Sequence, residues 1–424
     1  VLQAQRKPNI LILVGDDHTQ DDLGCYGNKV VRTPHLDRIA AEGMRCTSVF
    51  TATAMCSPSR STMYTGLYPH RHGCHMNHGA VREGTESMPH YLGRLGYRVG
   101  LAGKTHIKPE QSFPFERMPN RNRELDFESI DRFMSDRTPF CLIVASNEPH
   151  TPHRKARLPA EDIVVPPNLV DTPETRNDLA GYYADIEHLD WQVGKTLESL
   201  RKAGAEKDTL VIYAGDHGHH YFAKWTCYDA GLRAPFLVRW PGMVEANSVS
   251  EAMISFVDIL PTLIDAAGGE RVPAFDGRSF LPVLMGKETK HHDVIYGAHT
   301  TRGIINGSTY PIRCVRTRDY KYIRNLAPGN TFENNLMRGP EWEAWKRKAQ
   351  SDSFAARRVK MYQHRPGEEL YDLRSDPWEL VNKAGESGQR ERLAAMSTML
   401  KEWMKQQGDT GLEAEQAVPE RPNE

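Results

Sequence analysis

Two neighbouring carboxylates, Asp16 and Asp17, stand directly after an unbroken apolar run, Asn9-Ile-Leu-Ile-Leu-Val-Gly15. Side by side, two aspartates repel each other unless a cation lies between them. An isolated Asp-Asp is also common as a solvated turn or a helix cap, so the pair takes its meaning from its company. Three more polar clusters follow strand-like runs: Gly103-Lys-Thr-His106, Ser146-Asn-Glu-Pro-His150 and Gly215-Asp-His-Gly218. Ligands in open α/β sheets gather beyond the carboxyl ends of strands, which is where all these residues fall. The remaining reactive segment is Cys56-Ser57-Pro58-Ser59-Arg60, continued by Ser-Thr-Met-Tyr-Thr65-Gly66. Its bland reading is a Pro-containing turn opening a helix around a buried thiol.

These residues need elements to hold them. The run ending at Gly15 is apolar throughout, as in a strand covered on both faces of a parallel sheet. Arg98 to Ala102, Phe140 to Ala145, Thr209 to Ala214 and Pro235 to Val238 read the same way. Helical segments alternate with them. Thr33-Pro-His-Leu-Asp-Arg-Ile-Ala-Ala-Glu42 carries a Thr cap, a Pro in its first turn and Gly43 past its end. Leu179 to Ala203 has helical spacing and stops at Gly204. The alternation predicts a doubly wound α/β domain over residues 1–290. A smaller α+β subdomain is expected over 291–424. There Ile312-Arg-Cys-Val-Arg and Tyr320-Lys-Tyr-Ile-Arg alternate like antiparallel strands about a Thr317-Arg-Asp319 turn. Glu369-Leu-Tyr-Asp-Leu-Arg-Ser-Asp-Pro377 suggests another strand, and Arg390 to Gln407 a polar helix.

Composition narrows the function classes. The 54 Lys and Arg balance 55 Asp and Glu, so no charge excess points to nucleic acid or to a membrane surface. Basic residues are not interleaved with aromatics either. No apolar run approaches the roughly 20 residues of a spanning helix. Seven cysteines lack metal-finger spacing. Cys25 with Cys46, or Cys74 with a neighbour, could pair, and small buried thiols are the plainer expectation. The polar opening VLQAQRKP resembles the start of a mature exported chain, and export is expected. Nothing specifies an oligomeric state.

Cys56-x-Pro-Ser-Arg60 with Thr65-Gly66 resembles the signature of the type I sulfatases, in the alkaline-phosphatase superfamily. Four fixed residues in that window arise by chance about once in a thousand chains of this length. The resemblance extends along nearly the whole chain in the family's order. It includes Asp16-Asp17, Gly103-Lys104-Thr105-His106, Pro149-His150, Asp216-His217-Gly218, and Lys224 with Tyr228-Asp229 and Arg233-Ala-Pro235. Val238-Arg-Trp-Pro-Gly242 and Leu370-Tyr-Asp-Leu-Arg-Ser-Asp-Pro377 complete it. It implies an alkaline-phosphatase-like sandwich with a large, mostly parallel central sheet and a small C-terminal antiparallel sheet.

It also implies chemistry. Cys56 would be oxidised by a formylglycine-generating maturation enzyme to 3-oxoalanine, whose hydrate is the nucleophile. Asp16, Asp17, Asp216, His217 and the Cys56-derived oxygen would hold a metal. That hard-oxygen set suits Ca²⁺, or Mg²⁺, better than zinc. Arg60 and Lys104 would hold the diol and sulfate oxygens. His106 would be the base that regenerates the aldehyde, and His150 and Lys224 would contact sulfate, one of them protonating the leaving group. An inactive carbohydrate-binding relative would be expected to have lost Cys56 or a ligand, and this chain keeps them all.

Several runs are similar to the heparan N-sulfatases (sulfamidases): Gly103-Lys-Thr-His-Ile-Lys-Pro-Glu-Gln-Ser-Phe-Pro-Phe115, Tyr310-Pro-Ile-Arg313, and Val165-Pro-Pro-Asn with Asp171-Thr-Pro-Glu. They imply a sulfated saccharide, of glycosaminoglycan type and attacked at chain ends, as substrate. That branch carries Asp-Asn at Asp216-His217 and Arg at Lys224. The alternatives are an O-sulfatase on an algal or other polysaccharide, and a phosphoester or phosphonate-ester hydrolase of the same superfamily. His75 and His78, in the His-rich run Pro69 to His78, are candidate substrate contacts, as are His299 and Arg302.

Overall fold

The computed structural model describes residues 7–121, 123–136, 138–300 and 308–417. Its centre is an eight-stranded sheet. In chain order the strands are β1 (Asn9–Gly15), β2 (Met44–Cys46), β3 (Arg98–Gly103), β4 (Glu116–Arg117), β5 (Phe140–Ala145), β6 (Thr209–Gly215), β7 (Phe236–Arg239) and β8 (Ser248–Ser250). Their order across the sheet is β8-β2-β7-β6-β1-β5-β3-β4. All run parallel except β7, which is antiparallel to both its neighbours. The strand expected over Pro235 to Val238 therefore exists but runs backwards. Its short connection from β6, through residues 216–235, supplies no crossover helix long enough to bring it round parallel.

Side-chain alternation in β1 sorts the core into two layers. Ile10, Ile12 and Val14 face a cluster containing Ile259, Leu260 and Leu263. Leu11 and Leu13 face Leu36, Ile39, Leu189 and Val193 on the other side. Each such side chain, fully buried, contributes about 1.5–3 kcal/mol. The second layer is built by α1 (Pro34–Ala41) and the 30-residue helix Pro173–Lys202. That long helix starts six residues before the expected Leu179. Thr172 accepts from the Thr175 amide as N-cap and Pro173 occupies the first turn, so its start lies in the Asp171-Thr-Pro-Glu run. Thr33 does not cap α1 as expected. Its hydroxyl donates to Asp37, and the first-turn amides of His35 and Leu36 donate instead to Asp190 of the long helix, at 3.0 and 2.8 Å.

A second sheet follows: β9 (Val294–His299), β10 (Ile312–Thr317), β11 (Tyr320–Asn325) and β12 (Glu368–Asp372), paired antiparallel in that order. The expected hairpin is there. Two helices between β11 and β12, Pro340–Lys348 and Ser353–Gln363, were not anticipated; Trp342, Trp345 and Tyr362 bury them in an aromatic cluster. Asp229, beyond the first sheet, receives Lys321 Nζ at 2.7 Å and Arg316 Nε at 2.9 Å from the second. The Tyr228-Asp229 element thus ties the two sheets together. The polar helix Arg390–Gln407 closes over the second sheet. All seven cysteines are free thiols, and no helix among the described residues is long and apolar enough to cross a membrane.

Candidate active site

Strand register brings the polar clusters to one edge of the sheet. Gly15 pairs with Gly215, Val14 with Ala145, and Gly103 with Ala145. One residue further along stand Asp16, Asp216, Ser146 and Lys104. Their backbone is fixed too: the amides of Asp16, Asp216 and Lys104 donate to Glu148, Gly15 and Ala145 carbonyls at 2.8–2.9 Å. Gly103 has φ +85°, and a Cβ there would lie 2.0 Å from the Ala145 oxygen, so only glycine lets Lys104 leave the strand this way. Asp17 turns back with φ 63°, a conformation aspartate adopts more readily than most residues. Its amide donates to Asp216 Oδ1 at 2.9 Å.

Cys56 is the first residue of the helix Cys56–Thr65, every residue of which is buried. Ser59 anchors that helix over the strand ends, its hydroxyl 2.6 Å from the Asp216 carbonyl and 2.8 Å from Thr51 Oγ1. One turn in, Arg60 is fully buried, with Nε 3.0 Å from Asp216 Oδ2 and Nη2 3.3 Å from Asp16 Oδ1. From Cys56 Sγ, His217 Nε2 is 3.4 Å and Asp17 Oδ1 3.8 Å away. Two triplets therefore converge on the thiol: Asp17 with His217, and Asp16 with Asp216.

The donor chemistry of this centre fits a divalent cation. His217 Nδ1–H donates to the Gly218 carbonyl at 2.9 Å, so Nε2 is the ring atom left for a ligand. Nε2 faces Asp17 Oδ1 at 3.2 Å in a fully buried space. A divalent cation between them would take both atoms as ligands, and the Nδ1 bond fixes the imidazole for that task. Three carboxylates with one imidazole make a mainly oxygen set of the kind that holds Ca²⁺ or Mg²⁺.

Cations of the chain compensate the same carboxylates. Lys104 Nζ lies 2.5 Å from Asp16 Oδ2, and Lys224 Nζ 2.5 Å from Asp17 Oδ2. Burial alone would raise both aspartates. Lys104, His150 and Arg60 nonetheless hold Asp16 far below the usual carboxylate range, and Lys224, His150 and His217 do the same for Asp17. Burial likewise opposes the charges on Lys104 and Lys224, but Asp16 and Asp17 respectively keep both pKa values raised. Burial pushes the Cys56 thiol up, so the unmodified side chain is a neutral, weak nucleophile.

His150 brings Nε2 to 3.9 Å from Asp17 Oδ2, while Nδ1–H donates to the Thr151 carbonyl at 2.7 Å. Its loop is clamped by Arg123, which donates to the carbonyls of Asn147, His150 and Thr151 at 3.1–3.3 Å. His106, at φ 48°, packs edge-on against His78 with ring centroids 4.3 Å apart. Burial, with Lys104 and Arg60 nearby, drives the His106 pKa down to about 2, so the ring is neutral.

The structure thus gathers Asp16, Asp17, Cys56, Arg60, Lys104, His150, Asp216, His217 and Lys224, with His106 and His78 alongside. His75 goes elsewhere: its ring packs on His70 at 4.8 Å, and His70 lies 3.3 Å from Asp409 and 3.2 Å from Arg313. His299 is buried on β9 against Phe332. Arg302 lies outside the described residues. Sequence reasoning gave no part to Tyr182, whose hydroxyl donates to the Asp17 carbonyl at 3.0 Å and whose ring stacks on His219 at 4.3 Å. His219, two residues past His217, sits 3.9 Å from both Asp17 and Asp178. Burial opposes its charge, but the two carboxylates outweigh that and lift its pKa to about 9.

A family model described as Sulfatase matches residues 8–269, and one described as N-sulphoglucosamine sulphohydrolase, C-terminal, matches residues 215–341. An ulvan-active sulfatase of Formosa agariphila is 36% identical over 95% of this chain and 81% of its own length. The human N-sulphoglucosamine sulphohydrolase is 28% identical over 94% of this chain and 90% of its own. A solved structure in complex with its substrate, D-glucosamine-2-N,6-O-disulfate, shares the fold with a TM-score of 0.74 at 20% identity. The match covers 96% of this chain and 99% of that one. The alkaline-phosphatase-like sandwich is therefore observed, and the chain belongs to the sulfatase family of sulfuric ester hydrolases.

Proposed function

We propose that this sulfatase removes sulfate from the end of a glycosaminoglycan-type saccharide, N-sulfoglucosamine foremost. It would do so with Cys56 converted to formylglycine and with Ca²⁺ held by Asp16, Asp17, Asp216 and His217. The observation that carries this reading is the convergence of those four side chains on Cys56 Sγ. A hydrated aldehyde at position 56 supplies a hydroxyl nucleophile and, in its second hydroxyl, a means of releasing sulfate that cysteine or serine lacks. A bound divalent cation supplies Lewis acidity at a sulfate oxygen and favours ionisation of a nearby hydroxyl.

The chain's own groups do the rest. Arg60 keeps Asp16 and Asp216 in place from within the helix that presents position 56. Lys104 and Lys224 are drawn to Asp16 and Asp17; once a cation engages those carboxylates, both ammonium groups are free to bind sulfate oxygens. Lys224, kept charged by Asp17, or His150, oriented by its Nδ1–H on the Thr151 carbonyl, would protonate the leaving oxygen or nitrogen. His106, neutral and buried beside Lys104, accepts the proton of the second hydroxyl. The N-sulfoglucosamine assignment is supported by the human relative and by the C-terminal family model over residues 215–341. One observation favours a second reading, O-sulfate on a polysaccharide: the 36% identical relative is named for ulvan.

Sulfate release separates the readings. The enzyme, co-expressed with a formylglycine-generating enzyme and supplied with Ca²⁺, is given N-sulfated glucosamine, its 6-O- and 3-O-sulfated isomers, ulvan oligosaccharides, and an aryl sulfate beside the matching aryl phosphate. Release from N-sulfated glucosamine alone fixes a sulfamidase. Release only from O-sulfated saccharides keeps the mechanism and moves the substrate. Faster turnover of the phosphate than of every sulfate overturns the assignment in favour of a phosphoesterase.

A further inference from the structure

Behind the carboxylate centre lies a second cluster that the sulfatase reaction does not use. Asp178, on the helix Pro173–Lys202, is surrounded by imidazoles from two other segments. His153 Nε2 is 3.7 Å from Asp178 Oδ1, and His219 Nε2 is 3.9 Å from Asp178 Oδ2. The ligand atoms of these three side chains all lie within 4.8 Å of one another. His219 is nine-tenths buried, and neither of its ring nitrogens has a hydrogen-bond partner; His153 Nε2 has none either. Unpartnered buried polar atoms are rare enough to need a cause.

The tautomers point to that cause. His153 Nδ1–H donates to Asp185 Oδ2 at 2.6 Å, which turns its Nε2 toward Asp178. His219 Nδ1 lies 3.9 Å from Asp17 Oδ2, beyond hydrogen-bond distance, and its Nε2 faces Asp178. A carboxylate hydrogen-bonded behind the imidazole, as Asp185 is behind His153, is the arrangement that orients a histidine for metal binding and strengthens it as a donor. His220 does not join as a ligand. Its Nδ1 accepts the Tyr221 amide at 3.0 Å, and its Nε2, 2.9 Å from Asp178 Oδ2, makes no hydrogen bond there.

We propose that His153, His219 and Asp178 form a second metal site, for a divalent transition metal of the zinc type. Two imidazoles and one carboxylate are a softer set than the three carboxylates around Cys56, so the two centres select different ions. Short shifts of the side chains close the ligand atoms onto such an ion. The site joins three segments: the loop after His150, the long helix and the turn after His217. A metal there would brace His150 and His217 of the sulfate centre through the backbone. Its ligands are distinct from those assigned to Ca²⁺, and the proposal stands whatever saccharide the enzyme accepts.

The test uses the full chain saturated with Ca²⁺, so that the oxygen-rich centre is occupied, then titrated with Co²⁺ as probe and with Zn²⁺ as competitor. The expected result is one equivalent of Co²⁺ giving visible d–d absorption that Zn²⁺ abolishes. His153→Gln and Asp178→Asn should each weaken that binding at least tenfold, with Ca²⁺ binding retained. Cys56→Ala should leave the Co²⁺ signal unchanged. If Ca²⁺-saturated protein takes up no Co²⁺ or Zn²⁺, or if both ligand variants fold and still bind one equivalent as tightly, the site does not exist. In that case His219 is a protonated bridge between Asp17 and Asp178.

Discussion

Arg60 offers a measurable test of how the carboxylate centre is balanced. It is fully buried and contacts both Asp16 and Asp216, at 3.3 and 3.0 Å. In Arg60→Met the side chain keeps its length and loses its charge. Asp16 retains Lys104, but Asp216 is left with the Asp17 amide and with His217 Nε2 3.9 Å away. Removing one partner from a buried pair costs about 3–5 kcal/mol, because a charge is stranded without water. An unfolding entropy of about 2.1 cal/mol/K per residue gives roughly 0.9 kcal/mol/K for this chain. The loss therefore appears as a fall of about 3–6 °C in Tm, measured by scanning calorimetry at pH 7 in EDTA. Saturating Ca²⁺ supplies the missing positive charge, and the fall should shrink to less than half. Arg71→Met is the control: its pair with Asp276 at 2.9 Å is 39% exposed on the arginine side, and its loss should cost below about 1 kcal/mol. A fall under 1 °C in EDTA, or one that Ca²⁺ leaves unchanged, refutes the electrostatic reasoning.

Three further outcomes are expected. Cys56→Ala should abolish sulfate release while its Tm stays within about 2 °C of the parent, because only a small buried thiol is removed; retained turnover would end the case for position 56 as nucleophile. Asp22 is buried, and burial with neighbouring Asp21 raises its pKa to about 7. The folded state then holds a proton that the unfolded state releases near pH 4, so Asp22 costs stability as pH rises through 4–7, by at most about 4 kcal/mol. Asp22→Asn should thus gain Tm relative to the parent between pH 5 and pH 8, and an equal gap at both values would exclude the effect. A Cβ on Gly218 would sit 1.8 Å from the Ala230 carbonyl oxygen. Gly218→Ala must move the backbone that fixes His217, so it should lower the affinity for Ca²⁺ at least tenfold by calorimetric titration, and unchanged affinity would show that the turn yields freely.

What the sequence exposed, and what it hid, divides along physical lines. Strands such as Phe140–Ala145 were legible to the residue because an apolar run buried on both faces has no other soluble use. The polar residues after them were legible for the same reason: at a strand's carboxyl end a charged side chain has somewhere to be. The direction of β7 was hidden, since an apolar run reads identically in both directions. The α1 cap was hidden because Asp190, which supplies it, lies more than 150 residues away in sequence. Likewise, Asp178 looks like one more polar residue in a helix that reads as amphipathic, and His153 like a loop histidine. Only the fold shows that both face His219. The sulfate centre escaped this difficulty because Asp16, Asp17, Lys104, Asp216, His217 and Cys56 sit just past a strand end or at a helix start, positions that sequence marks. A ligand set drawn from a helix face, a loop and a turn has no such marks, and its detection had to wait for distances.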